Sequence, residues 1–144
     1  MRVLGIDVGR RRVGLAISDP SGTLARPLRT LTVTSAGDAV ERVVDEVPRL
    51  SGEEDGLAAI VVGVPARLDG SPSDETAVVA EFMKALAARV TVPIAGGDER
   101  LTSREAESRL AVEERDWRQR KKKLDAVAAS IILQDYLDQR RPRA

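Results

Sequence analysis

Residues 5 to 19 read GIDVGRRRVGLAISD, and the fold turns on how this stretch is understood. An apolar run is interrupted by one carboxylate, Asp7; Gly9 follows, then Arg10, Arg11 and Arg12, and the apolar pattern resumes to Asp19. Residues 2 to 8 and 13 to 19 are expected as two short strands joined by the Gly9–Arg12 turn, an antiparallel hairpin. A carboxylate inside such a strand is costly to bury unless a cation or hydrogen bonds compensate it. Asp7 is therefore either a ligand for something positive or a turn residue accepting backbone N–H groups ahead of Gly9.

Working outward, Thr23 to Val33 is a third extended run, and Pro27 inside it calls for a sheet edge or a bulge. Val40, Val43, Val44 and Val47 stand at helical spacing, with Pro48 expected to kink or end that helix and 51 to 56 to form a solvated loop. Leu57 to Val64 is almost wholly apolar, as in a parallel strand covered on both faces. A helix is expected from Ser71 through Val90, then a short strand from Val92 to Ala95. Thr102 and Glu105 form a capping box, so a further helix should begin right after Glu99. Residues 114 to 123 lack apolar periodicity and are expected as an exposed basic loop or frayed helix end. The last helix, near Leu124 to Gln139, carries Asp125 on its apolar face, and residues 140 to 144 are expected as a disordered tail. The order βββαβαβα argues for a single α/β domain spanning 1–144, built on a mixed five-stranded sheet flanked by helices.

Composition narrows the chemistry. The 144 residues contain no cysteine and no histidine, which excludes thiol chemistry, the usual zinc sites and imidazole acid–base catalysis. Aromatic residues make up 2%, so Val, Leu, Ile and Ala must build the core. With no long apolar run and no signal-peptide pattern, no membrane association and a cytoplasmic location are expected. The 23 basic and 23 acidic residues cancel, but residues 114 to 144 hold nine bases against five acids, which suggests one positive face.

Three carboxylates sit where burial rules disfavour them: Asp7 in the first strand, Glu99 after the last, and Asp125 at the start of the final helix. Ligands collect outside the carboxyl ends of strands in open α/β sheets, where Glu99 would be. Converging carboxylates repel unless divalent cations bind, and oxygen-only donors suit Mg²⁺ or Mn²⁺. Two such ions about 4 Å apart are an arrangement for phosphodiester hydrolysis that needs no histidine. The plainer alternatives are that Glu99 pairs with Arg100 or Arg104 and that Asp125 answers a helix dipole. Arg118, Arg120, Lys121, Lys122 and Lys123 precede Asp125 and could hold phosphates, with Trp117 stacking on an unpaired base, or they form a solvated run with Trp117 folded onto a helix.

GIDVGRRRVGLAISD, VVGVPARLDGS (61 to 71), GDERLTSREAE (97 to 107) and KKKLDAVAASIIL (121 to 133) resemble the four motif blocks of the pre-16S rRNA nuclease family, also described as Holliday junction resolvase-like, in order and spacing. The resemblance implies a ribonuclease H-like fold, Asp7, Glu99 and Asp125 as catalytic and metal-binding carboxylates with Mg²⁺ or Mn²⁺ (two ions), and processing of the 5′ end of pre-16S rRNA. Two positions depart from the pattern: Arg10 replaces a small hydroxyl residue, and Arg67 stands where Asn is usual. Both add positive charge, so Arg10, Arg11, Arg12, Arg67 and Arg100 join the basic run as nucleic-acid-binding candidates. Rival readings are cleavage of branched DNA, which would favour a homodimer, a phosphotransferase of the actin and sugar-kinase kind, which needs two such domains, and a non-catalytic nucleic-acid binder.

Overall fold

Strand β1 (Arg2–Val8) and strand β2 (Arg12–Ser18) form the expected antiparallel hairpin, with Asp7 opposite Gly14 and Gly5 opposite Ala16. The computed structural model describes residues 1–65, 74–98 and 117–140, and for 98 and 117–123 the backbone alone. Strand β3 (Ala25–Thr32) pairs antiparallel with β2, and Pro27 sits on it at the edge of the sheet, where proline is tolerated. The register of that pair shifts between Leu15 and Ala16.

Helix α1 (Ala36–Gly52) starts at Ser35, whose hydroxyl accepts from the Asp38 N–H at 3.0 Å. It continues past Pro48 for another turn, later than the sequence suggests. Leu50 is buried in the core, and the Arg2 guanidinium donates to the Leu50 carbonyl at 3.1 Å, so the turn beyond the proline is held by packing and by a side-chain cap. Strand β4 (Leu57–Val64) runs parallel to β1, and β5 (Ile94–Asp98) parallel to β4. Between them lies α2 (Asp74–Ala87). β5 lies a little later than the expected 92–95 and takes in both glycines. A Cβ on Gly96 would stand 2.9 Å from Val64 Cγ2, and one on Gly97 3.1 Å from Ile132 Cγ2, so glycine here lets the strand fit between its neighbours.

The strand order is β3-β2-β1-β4-β5, with β1, β4 and β5 parallel. Alternation along the strands sorts the core into two layers. Leu4, Ile6, Leu15, Ile60 and Val62 pack with Val43 and Val47 of α1 and Phe82 and Leu86 of α2. Val3, Ala16 and Val61 face the other way and pack with Ala129, Ile132, Leu133 and Leu137 of helix α3 (Trp117–Arg140). The predicted mixed five-stranded α/β architecture in the order βββαβαβα is therefore the one observed. The helix expected after Glu99 and the 141–144 part of the expected tail lie outside the described residues.

Candidate active site at the carboxyl ends of the strands

The face that α3 covers is paved with small residues on β1 and β2. A Cβ on Gly5 would stand 2.8 Å from Leu133 Cβ, and one on Gly14 1.9 Å from the Asp125 carbonyl oxygen. The backbone of α3 thus rests directly on β2 at Gly14. The sequence invites another use for that glycine, close approach of a phosphate backbone, but the space is filled by the helix itself.

This contact brings Asp7 and Asp125 to one place in the fold. Opposed residues of an antiparallel pair project from the same face, so Asp7, opposite Gly14, is on the α3 side next to where Asp125 crosses. Asp7 is the second-last residue of β1, at the carboxyl end that the topology marks for ligands. Asp125 is not in a first helical turn as expected. It is the ninth residue of α3, which removes a helix-dipole account of it. Both carboxylates are partly buried.

Arg12 stands on the same face two residues before Gly14, and its Nε donates to Asp125 Oδ2 at 2.6 Å. The sequence grouped Arg12 with Arg10 and Arg11 as facing substrate; the structure splits them, leaving Arg10 and Arg11 exposed at the turn. The turn is closed by the Gly9 N–H donating to the Arg12 carbonyl at 2.9 Å, and a Cβ on Gly9 would meet that oxygen at 2.6 Å. No motif signals the Arg12–Asp125 pair, which joins residues 113 positions apart. The α3 seat does leave a sequence trace: Gly5, Gly14 and Ala16 are small residues at the period of one strand face.

The run from Trp117 to Lys123, expected as an exposed basic loop or frayed helix end ahead of a helix near Leu124, is instead helical and supplies the first two turns of α3. Because Asp125 lies on Gly14 while Tyr136 and Leu137 pack with Val3, α3 runs from the carboxyl end of β1 to its amino end. The eight residues before Asp125 extend about 12 Å beyond that crossing at the usual helical rise. Arg118, Arg120, Lys121, Lys122 and Lys123 are spaced along this overhang. Glu99, Arg67 and Arg100 lie outside the described residues, Glu99 one peptide bond after the end of β5.

Among the described residues no three Asp or Glu side chains come close enough to hold a metal ion together. The pair that α3 brings together, Asp7 and Asp125, offers carboxylate oxygens alone, a donor type that fits a hard divalent cation. A cleft of about 610 Å³ opens at the opposite end of the sheet, lined in part by Val3, Ala59, Ile94, Tyr136 and Arg140. Among the described residues its lining has no carboxylate, so its size does not make it the site.

A family model described as RuvX, Holliday junction resolvase, matches residues 1–139. The chain belongs to the RuvX family. Among its relatives, a protein of Chloroflexus aggregans named "Putative pre-16S rRNA nuclease" is 42% identical over 96% of this chain and 94% of its own length. A protein of Roseiflexus sp. bearing the same name is 37% identical over 97% and 96%. The fold of this RuvX-family chain is also that of Thermus thermophilus RuvC, solved in complex with a Holliday junction substrate, at a TM-score of 0.54, 19% identity and coverage of 97% and 95%. That likeness places the RuvX-family chain among ribonuclease H-like folds, the fold that the resemblance of its motif blocks implies. Among the described residues no helix is long and apolar enough to cross a membrane.

Proposed function

We propose that this protein is a divalent-metal-dependent endonuclease that processes the 5′ end of pre-16S rRNA, with Asp7, Glu99 and Asp125 holding the cation. The observation that carries the reading is the convergence of Asp7 and Asp125, far apart in sequence, on one face at the carboxyl end of β1 through the α3 contact at Gly14. The names of the relatives supply the substrate. When bound, Mg²⁺ or Mn²⁺, as two ions in this reading, polarises the phosphodiester and lowers the pKa of attacking water.

The chain's own residues account for the rest. Asp7 and Asp125 are presented from a strand and a mid-helix position, both rigid supports for a catalytic geometry. Exposed Arg10 and Arg11, together with the basic overhang of α3, flank the carboxylates and would hold a phosphate backbone without reading its sequence. Arg67 and Arg100 join them in this proposal, as does Trp117 at the start of α3 for stacking. Ribosome assembly puts such an enzyme in the cytoplasm.

A second reading, cleavage of a four-way DNA junction by a homodimer, is favoured by the description of the family model. Cleavage of a pre-16S RNA fragment and of a four-way junction, each with Mn²⁺, separates the two; activity on the junction alone would sink the ribosomal reading. Asp7→Asn is expected to keep the melting temperature and abolish cleavage, and unchanged cleavage would remove Asp7 from the site.

A further inference from the structure

Resting on the reading of Asp125 as a cation ligand, we infer that Arg12 is a positioning residue, holding one carboxylate oxygen of Asp125 so that the other is presented to the divalent cation. The Arg12 Nε contact goes to Oδ2 at 2.6 Å, and it is the one hydrogen bond joining the two side chains. Oδ1 is outside the pair. The side chains are 34% and 24% exposed, shielded enough for the contact to persist and open enough for a cation to enter.

The backbone on each side fixes this arrangement. Asp125 lies where α3 touches Gly14, and Arg12 stands two residues from Gly14 on the same strand face, so both side chains spring from one close contact. The Arg12 main chain is itself fixed by the Gly9 N–H. The terminal torsion of an aspartate is broad, and a hydrogen bond to one oxygen removes that freedom. Outer partners orient metal-ligating carboxylates in this way, and their loss typically weakens metal binding 10- to 100-fold.

Simple electrostatics predicts the opposite sign, since deleting a cation beside a carboxylate should tighten binding of another cation. The sign of the change therefore decides. Mn²⁺ binding to the metal-free protein, without substrate, is measured by calorimetry for the wild type, Arg12→Leu, Arg12→Gln, Arg11→Leu and Asp125→Asn, each at a temperature where its melt shows it folded. Arg12→Leu and Arg12→Gln are expected to bind Mn²⁺ about 10-fold more weakly, whereas Arg11→Leu, which removes the same charge one residue away, binds as well as or better than wild type. An ion pair with only a structural role would lower the melting temperature and leave the Kd of the folded protein alone. Unchanged or tighter binding in the Arg12 variants, with Asp125→Asn weakened, overturns the inference and spares the site. Full Mn²⁺ binding by Asp125→Asn overturns the ligand reading and the role of Arg12 with it.

Discussion

Gly14→Ala should damage the site more than any other single-methyl change described in this protein. The added Cβ would lie 1.9 Å from the Asp125 carbonyl oxygen, 2.2 Å from its carbon and 2.8 Å from the Ala126 nitrogen. All three are backbone atoms of a helix, so no side-chain rotation relieves the clash. Bringing the oxygen out to ordinary contact near 3.3 Å requires α3 to lift by roughly 1.4 Å at Asp125. Overpacking of this kind costs about 1–3 kcal/mol, and at about 3–4 °C per kcal/mol for a chain of this length the melting temperature should fall by roughly 3–12 °C. Activity should fall further than stability, because a displacement of about 1 Å in a catalytic group can cost about 100-fold in rate. Gly52→Ala provides the control: nothing lies within 4 Å of a Cβ there, and it closes α1, where alanine is the better helix former. Thermal melts and initial rates of Mn²⁺-dependent cleavage test both variants. A Gly14→Ala protein with wild-type melting and wild-type rate would refute the claim that α3 is seated on β2 by the absence of a side chain.

Two other perturbations test parts of the fold remote from the site. Ser35→Ala removes the side-chain acceptor for the Asp38 N–H and should cost about 1 kcal/mol, read as a denaturant midpoint shift at unchanged slope; no shift would remove Ser35 as the cap. Asp19 accepts from the Ser21 hydroxyl and the Leu24 and Thr23 N–H groups, which hold its pKa at about 2. Because the folded value lies below the unfolded one, near 4, the stability it contributes is present above pH 4 and lost as pH falls toward 2. Asp19→Asn should therefore flatten that part of the stability–pH curve, and an unchanged slope between pH 4 and 2 would dismiss the loop as its source.

The elements were legible where one local pattern dominated. The hairpin, the edge or bulge that Pro27 calls for and the doubly covered β4 each follow from alternation, a missing N–H or a continuous apolar run. Element ends were missed where distant residues decide them. Pro48 leaves open on local grounds whether α1 kinks or ends there, and a loop is expected from 51, but buried Leu50 and the Arg2 cap, contributed from β1, carry the helix on to Gly52. Gly96 and Gly97 look like a strand terminator until Val64, Val61 and Ile132 close around them.

The same division governs the site. Asp7 was legible because a carboxylate in an apolar strand is costly, and Asp125 because it shares a helical face with apolar residues. Neither cost says that the two meet, since that depends on how closely α3 approaches the sheet. The approach is set by what Gly5 and Gly14 lack, and a missing side chain in a strand reads equally well as room for a ligand or room for a helix. The helix occupies it, so a role for Gly14 in admitting substrate is replaced by a role in placing Asp125. Arg12 could not have been paired in advance, because its side chain reaches Asp125 only once that helix is seated. The consequence separates the three arginines of the turn: Arg10 and Arg11 are available to a phosphate backbone from solvent, whereas charge removed at Arg12 acts first on a carboxylate. Substitutions along this one short turn should thus divide into those that weaken the proposed nucleic-acid binding with a salt-dependent slope and one that alters the proposed cation site.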